Sequence, residues 1–138
     1  MLQVVLIDRQ RARRLPAARL RRVLQGAARA LRASGELALV CCGDRAVRTL
    51  NARYRRQDRP TDVLSFPGAG GEMGLGDVVI SVPAAARNAR RFGRRLDEEL
   101  QVLALHGLLH VLGYDHEKDD GTMDRLEARL RHRLLGFA

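Results

Sequence analysis

The stretch from Asp97 to His116, DEELQVLALHGLLHVLGYDH, constrains the fold of this 138-residue chain more than any other. Asp97, Glu98 and Glu99 place negative charge at the positive end of a helix dipole, and Gly113 stands where a helix stops, so residues 97–112 read as one helix. Leu100, Val102, Leu103, Leu105, Leu108, Leu109, Val111 and Leu112 leave it no broad polar face. A helix that is apolar all round has to be enclosed by other elements, so the remainder of the chain is expected to wrap it.

His106 and His110 interrupt that apolar surface. Four residues apart, at about 3.6 residues per turn, they project from one face with an angular offset of about 40°. Beyond Gly113 the chain turns through Tyr114 and Asp115 and can return His116 toward the pair. Imidazoles buried in a leucine-rich helix are costly unless partnered, and a shared cation partners all three at once. His106, His110 and His116 are therefore read as the ligands of one ion, with an open fourth position of the kind catalytic zinc uses. A structural metal is the alternative, and nickel or another transition metal also suits three histidines.

HGLLHVLGYDH, residues 106–116, resembles the signature of the YbeY family of ribosomal RNA maturation endoribonucleases. NARYRRQDRPTDVLSFP, from Asn51 to Pro67, and LGDVVIS, from Leu75 to Ser81, resemble two further segments of that family in its order and approximate spacing. The resemblance implies a metal-dependent, single-strand-specific endoribonuclease acting on ribosomal RNA, at the 3′ end of the small-subunit RNA, and in ribosome quality control. It implies one zinc ion per chain, with His110 in the catalytic centre, and it selects Arg55, of the Tyr-Arg pair, as the catalytic and phosphate-binding arginine. A fixed guanidinium beside a metal can clamp a phosphate and offset charge growing in the transition state. It also assigns Asn51 and Tyr54 to the floor of a cleft. Ser65 and Phe66, on an edge strand, are candidate substrate contacts. Asp115 is a candidate for orienting a ligand imidazole.

The length suits one domain, residues 1–138, with a real core. No run of 18 apolar residues or signal-peptide pattern is present, which makes the cytoplasm the expected compartment and a membrane no partner. Adjacent Cys41 and Cys42 match no zinc spacing and are expected to be buried free thiols. The formal charge of +9, carried almost wholly by arginine with Lys118 as the only lysine, favours a polyanion such as RNA. Arginine bias also follows from genome composition, so the net charge says more than the choice of residue.

Leu2–Ile7 and Leu37–Cys42 read as strands around a helix from Pro16 to Ser34 with Gly35 as its stop, which implies a right-handed parallel crossover. Asp44 is expected to cap a second helix with Val47, Leu50 and Tyr54 inward. Asp62–Phe66 and Asp77–Ser81 read as an antiparallel pair across a flexible connector, residues 68–76. Ser81 and Pro83 begin an arginine-rich helix around Arg87–Arg95, and Asp119, Asp120 or Thr122 begins a last one sealed by Met123, Leu126, Leu130 and Leu134. The sum is one α+β domain: a mixed four-stranded sheet packed with about five helices, the histidine helix central, in a metalloprotease-like core.

His106 and His110 have the spacing of the zinc-peptidase HExxH motif, but Gly107 occupies the position of its catalytic glutamate. That removes the usual base, at a helix-propensity cost of about 1 kcal/mol relative to alanine. The small residue can also admit substrate or another backbone close to the helix. Two alternatives remain: another metal hydrolase that recruits its base elsewhere, and an assembly factor with a structural metal. Expected partners are single-stranded RNA, ribosomal RNA and the ribosome, with helper proteins that position the RNA.

Overall fold

The computed structural model describes residues 1–68, 74–115 and 117–136. The elements run β1 (Leu2–Asp8), α1 (Ala17–Ala30), β2 (Gly35–Cys42), α2 (Asp44–Arg55), β3 (Val63–Pro67), β4 (Gly76–Ser81), α3 (Val82–Phe92), α4 (Leu96–Val111) and α5 (Thr122–Leu135). The four strands form one sheet in the order β1-β2-β4-β3. β1 and β2 pair parallel, β2 and β4 pair parallel, and β3 lies antiparallel to β4 at the edge. This is the mixed α+β architecture with a central histidine helix that the sequence predicts; residues 69–73 of the expected connector lie outside the described residues.

Strand alternation divides the core in two. Leu37, Leu39 and Cys41 of β2 and Val78 and Ile80 of β4 face α1 and α4, whereas Cys42 and Val79 face α2 with Val47, Leu64 and Phe66. The first cluster is much the larger, because α4 crosses this face of the sheet and is covered in turn by α1, α3 and α5. Leu100, Leu105, Leu108 and Leu109 of α4 are fully buried. Each contributes about 2 kcal/mol of transfer free energy at most, which holds the apolar helix at the centre, while the Glu98 carboxylate accepts from the Arg95 N–H at its start at 2.8 Å.

Three local expectations are corrected. Asp44 does not cap α2: the N-cap is Gly43, and the Asp44 carboxylate instead accepts bonds from Ser81 Oγ at 2.6 Å and from the Arg87 guanidinium at 2.9 and 3.0 Å, tying α2 to α3. Tyr54 is 60% exposed rather than inward, because α2 rests on the sheet through Val47 and Asn51 and its last turn runs past the edge strand. Gly35 opens β2 instead of stopping α1, whose chain reversal is made at Arg32 in a left-handed conformation. Ser81 caps α3 as expected, accepting from the Ala84 N–H at 3.2 Å.

Candidate active site

The C-terminal half of α4 brings the two helical histidines to a cleft. Nε2 of His106 and Nε2 of His110 lie 3.1 Å apart, with ring planes crossing at 71°. Two nitrogens about 2.0–2.1 Å from a common ion and about 3.1 Å from each other subtend about 100°, close to a tetrahedral angle, so this pair fits a shared ion. Among the described residues no group of three or more His, Cys, Asp and Glu converges on an ion position. His116, the expected third ligand, lies outside the described residues.

The other side of the His106 ring is held by a residue the sequence reading missed. Nδ1 of His106 donates to Glu127 Oε1 on α5, and Glu127 Oε2 accepts from Arg131 one turn later. Burial works to raise the Glu127 pKa, but His106 and Arg131 outweigh it and lower it, so the carboxylate stays an acceptor. Burial likewise works to lower the His106 pKa, and the Glu127 hydrogen bond and charge overcome it and make the ring more basic. An ionised acceptor on Nδ1 selects the tautomer whose Nε2 lone pair faces the cleft, the usual outer support of a metal-ligating histidine. A signal was present in the sequence: Glu127 is four residues after Met123 and three before Leu130, within about 40–60° of both on the inward stripe.

The cleft encloses about 630 Å³ between α4, β3, the end of α2 and the turn after α4. His106, His110, Arg55, Asn51, Asp62, Ser65, Tyr114 and Asp115 all contribute to its walls. Asn51, 3% exposed, donates Nδ2 to the Arg59 carbonyl at 3.0 Å and so fixes the loop that carries Gln57, Arg59 and Thr61 along the rim. Arg55 is the last residue of α2 and is exposed in that rim. Asp115 Oδ1 accepts from the Glu117 N–H at 3.0 Å in the turn after α4, and the carboxylate that meets the His106 ring is that of Glu127.

Ser65 and Phe66 are separated by the pleat. Ser65 faces α4 and donates Oγ to the Gly107 carbonyl at 3.0 Å, while Phe66 points to the opposite face and meets Tyr54 edge-on at 5.7 Å. Ser65 therefore lines the cleft and Phe66 does not. Gly107 is small for a reason in the protein itself: a Cβ there would stand 2.4 Å from Val78 Cγ1 and 3.3 Å from Ser65 Oγ. What approaches the helix closely at Gly107 is β4.

A family profile described as Endoribonuclease YbeY matches residues 4–135. The chain belongs to the YbeY family. Proteins described as Endoribonuclease YbeY include one from Moorella thermoacetica, 45% identical over 85% of this chain and 83% of its own, and one from Geobacter metallireducens, 42% identical over 94% and 92%. One from Solibacter usitatus is 50% identical over 67% of this chain and 61% of its own length. The chain thus spans less than two thirds of that relative, and 65% of the Koribacter versatilis one. The solution structure of a Thermotoga maritima protein superposes with a TM-score of 0.67 at 25% identity, covering 99% of this chain and 90% of that one. The YbeY match includes every element that lines the cleft, from α2 to α4, and α5 behind it.

Proposed function

We propose that this chain is a metal-dependent endoribonuclease specific for single strands, with one zinc ion held by His106, His110 and His116. The observation that carries the reading is the His106–His110 pair: two Nε2 atoms 3.1 Å apart, one ring held by Glu127, at a cleft rimmed by Arg55. Relatives carrying the Endoribonuclease YbeY description support the reaction class. RNA in ribosome maturation, at the 3′ end of the small-subunit RNA, and in ribosome quality control is the substrate setting we assign. The ribosome and helper proteins are the corresponding partners, and the cytoplasm the compartment. Among the described residues no helix is long and apolar enough to cross a membrane.

A zinc ion bound by the imidazoles supplies Lewis-acid stabilisation of charge on a phosphoryl oxygen. The chain's own groups do the rest. Arg55 takes the neighbouring phosphate oxygens with its planar fork and stabilises charge that develops on them. Glu127, itself fixed by Arg131, holds His106 in one orientation and one tautomer throughout. The cleft walls formed by Asn51, Ser65 and the Gln57–Asp62 loop confine a flexible strand so that one phosphodiester meets Arg55 and the histidines together.

A peptidase reading is disfavoured by the Gly107 geometry. A glutamate at that position has no room beside Val78, so the motif's general base cannot be restored on this backbone. A non-enzymatic assembly factor with a structural metal makes a different prediction, since chelation would then unfold the domain.

The test is cleavage of an end-labelled single-stranded RNA by rigorously purified protein beside Arg55→Ala and His110→Ala, with circular dichroism to verify folding. Loss of cutting in both folded variants is expected. Equal cutting by all three preparations would mark the activity as a contaminant and favour the assembly factor. Product ends identify the nucleophile: a 2′,3′-cyclic phosphate arises from the RNA's own 2′-hydroxyl, a plain phosphate end from water.

A further inference from the structure

Phe92 is the last residue of α3 and is 54% exposed, one of only two exposed large aromatic side chains among the described residues. Gly93 follows in a left-handed conformation with φ 67°, which ends the helix and leaves the ring projecting from its tip. Two guanidinium groups flank it: Arg91 Cζ lies 5.6 Å and Arg94 Cζ 5.4 Å from the ring centroid. A lone exposed phenylalanine is unremarkable on a protein surface, but one with two cations beside it in the arginine-rich run Arg87–Arg95 combines an apolar ring with phosphate-binding charge.

Part-buried polar bonds tie the C-terminal half of α3 to the cleft wall and to α4. Asn88, one turn before Phe92, donates Nδ2 to Asp62 on the cleft wall at 2.9 Å and to Glu99 of α4 at 3.3 Å. Glu99 in turn accepts from Arg94 at 2.7 Å in a pair that is largely buried. The tip of α3 therefore cannot swing independently of the cleft. Phe92 lies about 6 Å along the helix axis from Asn88 and about 40° around it, so the ring stands on the same side of α3 as the bond to Asp62.

We propose that Phe92, with Arg91, is a base-stacking platform for single-stranded RNA outside the catalytic cleft, an inference that rests on the endoribonuclease reading above. One unpaired base lies on the ring, and Arg91 turns to the adjacent phosphate. Arg94, anchored by Glu99, keeps the platform in place. Such platforms accept any base, because every base offers a π-face. The site thus adds affinity for long single strands over short ones and does not select sequence.

The test uses 2′-O-methyl oligomers of about four and about twelve nucleotides, verified as intact after the measurement and read by fluorescence anisotropy on the whole protein. Phe92→Ala is expected to weaken binding of the long oligomer roughly tenfold, with Phe92→Tyr restoring it. A long oligomer with abasic sites keeps its phosphates but has no bases to stack, so its binding should be insensitive to Phe92→Ala. The chain has no tryptophan, so Phe92→Trp adds one selectively excitable indole whose emission should be quenched by the long oligomer and not by the short one. Unchanged affinity in Phe92→Ala, or an equal loss with the abasic oligomer, overturns the platform. Those results in a preparation that still cuts RNA leave the endoribonuclease reading standing; a parent protein that neither binds nor cuts RNA removes both.

Discussion

His106 and Glu127 are 21 residues apart in the chain, and the bond from the imidazole Nδ1 to the Glu127 carboxylate decides which ring nitrogen faces the cleft. The last helix is thereby part of the candidate centre, although it contributes nothing to the cleft wall. The metal reading, the position of Gly107 and the fixing of α3 each lead to a measurement.

Glu127→Gln is expected to lower zinc affinity about 10–100-fold while the fold persists, because the outer support of His106 loses its charge. Competition against a chromophoric chelator reads this without any RNA. An affinity equal to that of the parent would show that Glu127 does not support a ligand.

Gly107→Ala adds a methyl at 2.4 Å from Val78 Cγ1, where both helix and strand are buried. Overpacking should cost about 1–3 kcal/mol despite the better helix propensity of alanine, and urea unfolding measures it. Adding Val78→Ala makes room, so the double variant should recover part of the loss. A Gly107→Ala protein as stable as the parent would mean that the two elements can separate freely.

Asp44 binds Ser81 and Arg87, and the hydrogen bond from Arg87, then that from Ser81, lowers its pKa. A carboxyl with a depressed folded pKa contributes stability above its unfolded value, and that contribution is lost as pH falls through the folded one. Denaturation of the parent at pH 7 and at about pH 3 should therefore show a larger acid loss than the same pair of measurements on Asp44→Asn. Identical acid losses in the two proteins would deny the link between α2 and α3 any part in stability.

Cys41 and Cys42 are both buried, and burial, with the Asp8 charge next, pushes the Cys41 thiol up to about 12. Burial raises Cys42 as well, and its Sγ donates toward the Ile80 carbonyl at 3.7 Å. Since the thiolate is the reactive form, neither residue should react with a disulfide reagent at pH 8 until the protein is unfolded. Fast labelling of the native protein would show that β2 opens readily.

The sequence by itself determined the elements and their partnership. Hydrophobic patterning together with cap, proline and glycine signals marked the four strands and five helices of the described residues, the apolar girth of α4 required it to be enclosed, and the spacing of His106 and His110 put both imidazoles on one face. These are local properties, set by helical and strand repeats within a few residues. Tertiary structure alone decided which neighbours completed each feature. The pleat sent Ser65 to the cleft and Phe66 away from it, and sheet contact explained Gly107. Asp44 became a link between two helices, and Glu127 became the support of His106. A short polar side chain satisfies itself with whatever donor or acceptor folding brings within about 3 Å, and that partner comes from a distant part of the chain that no local repeat encodes.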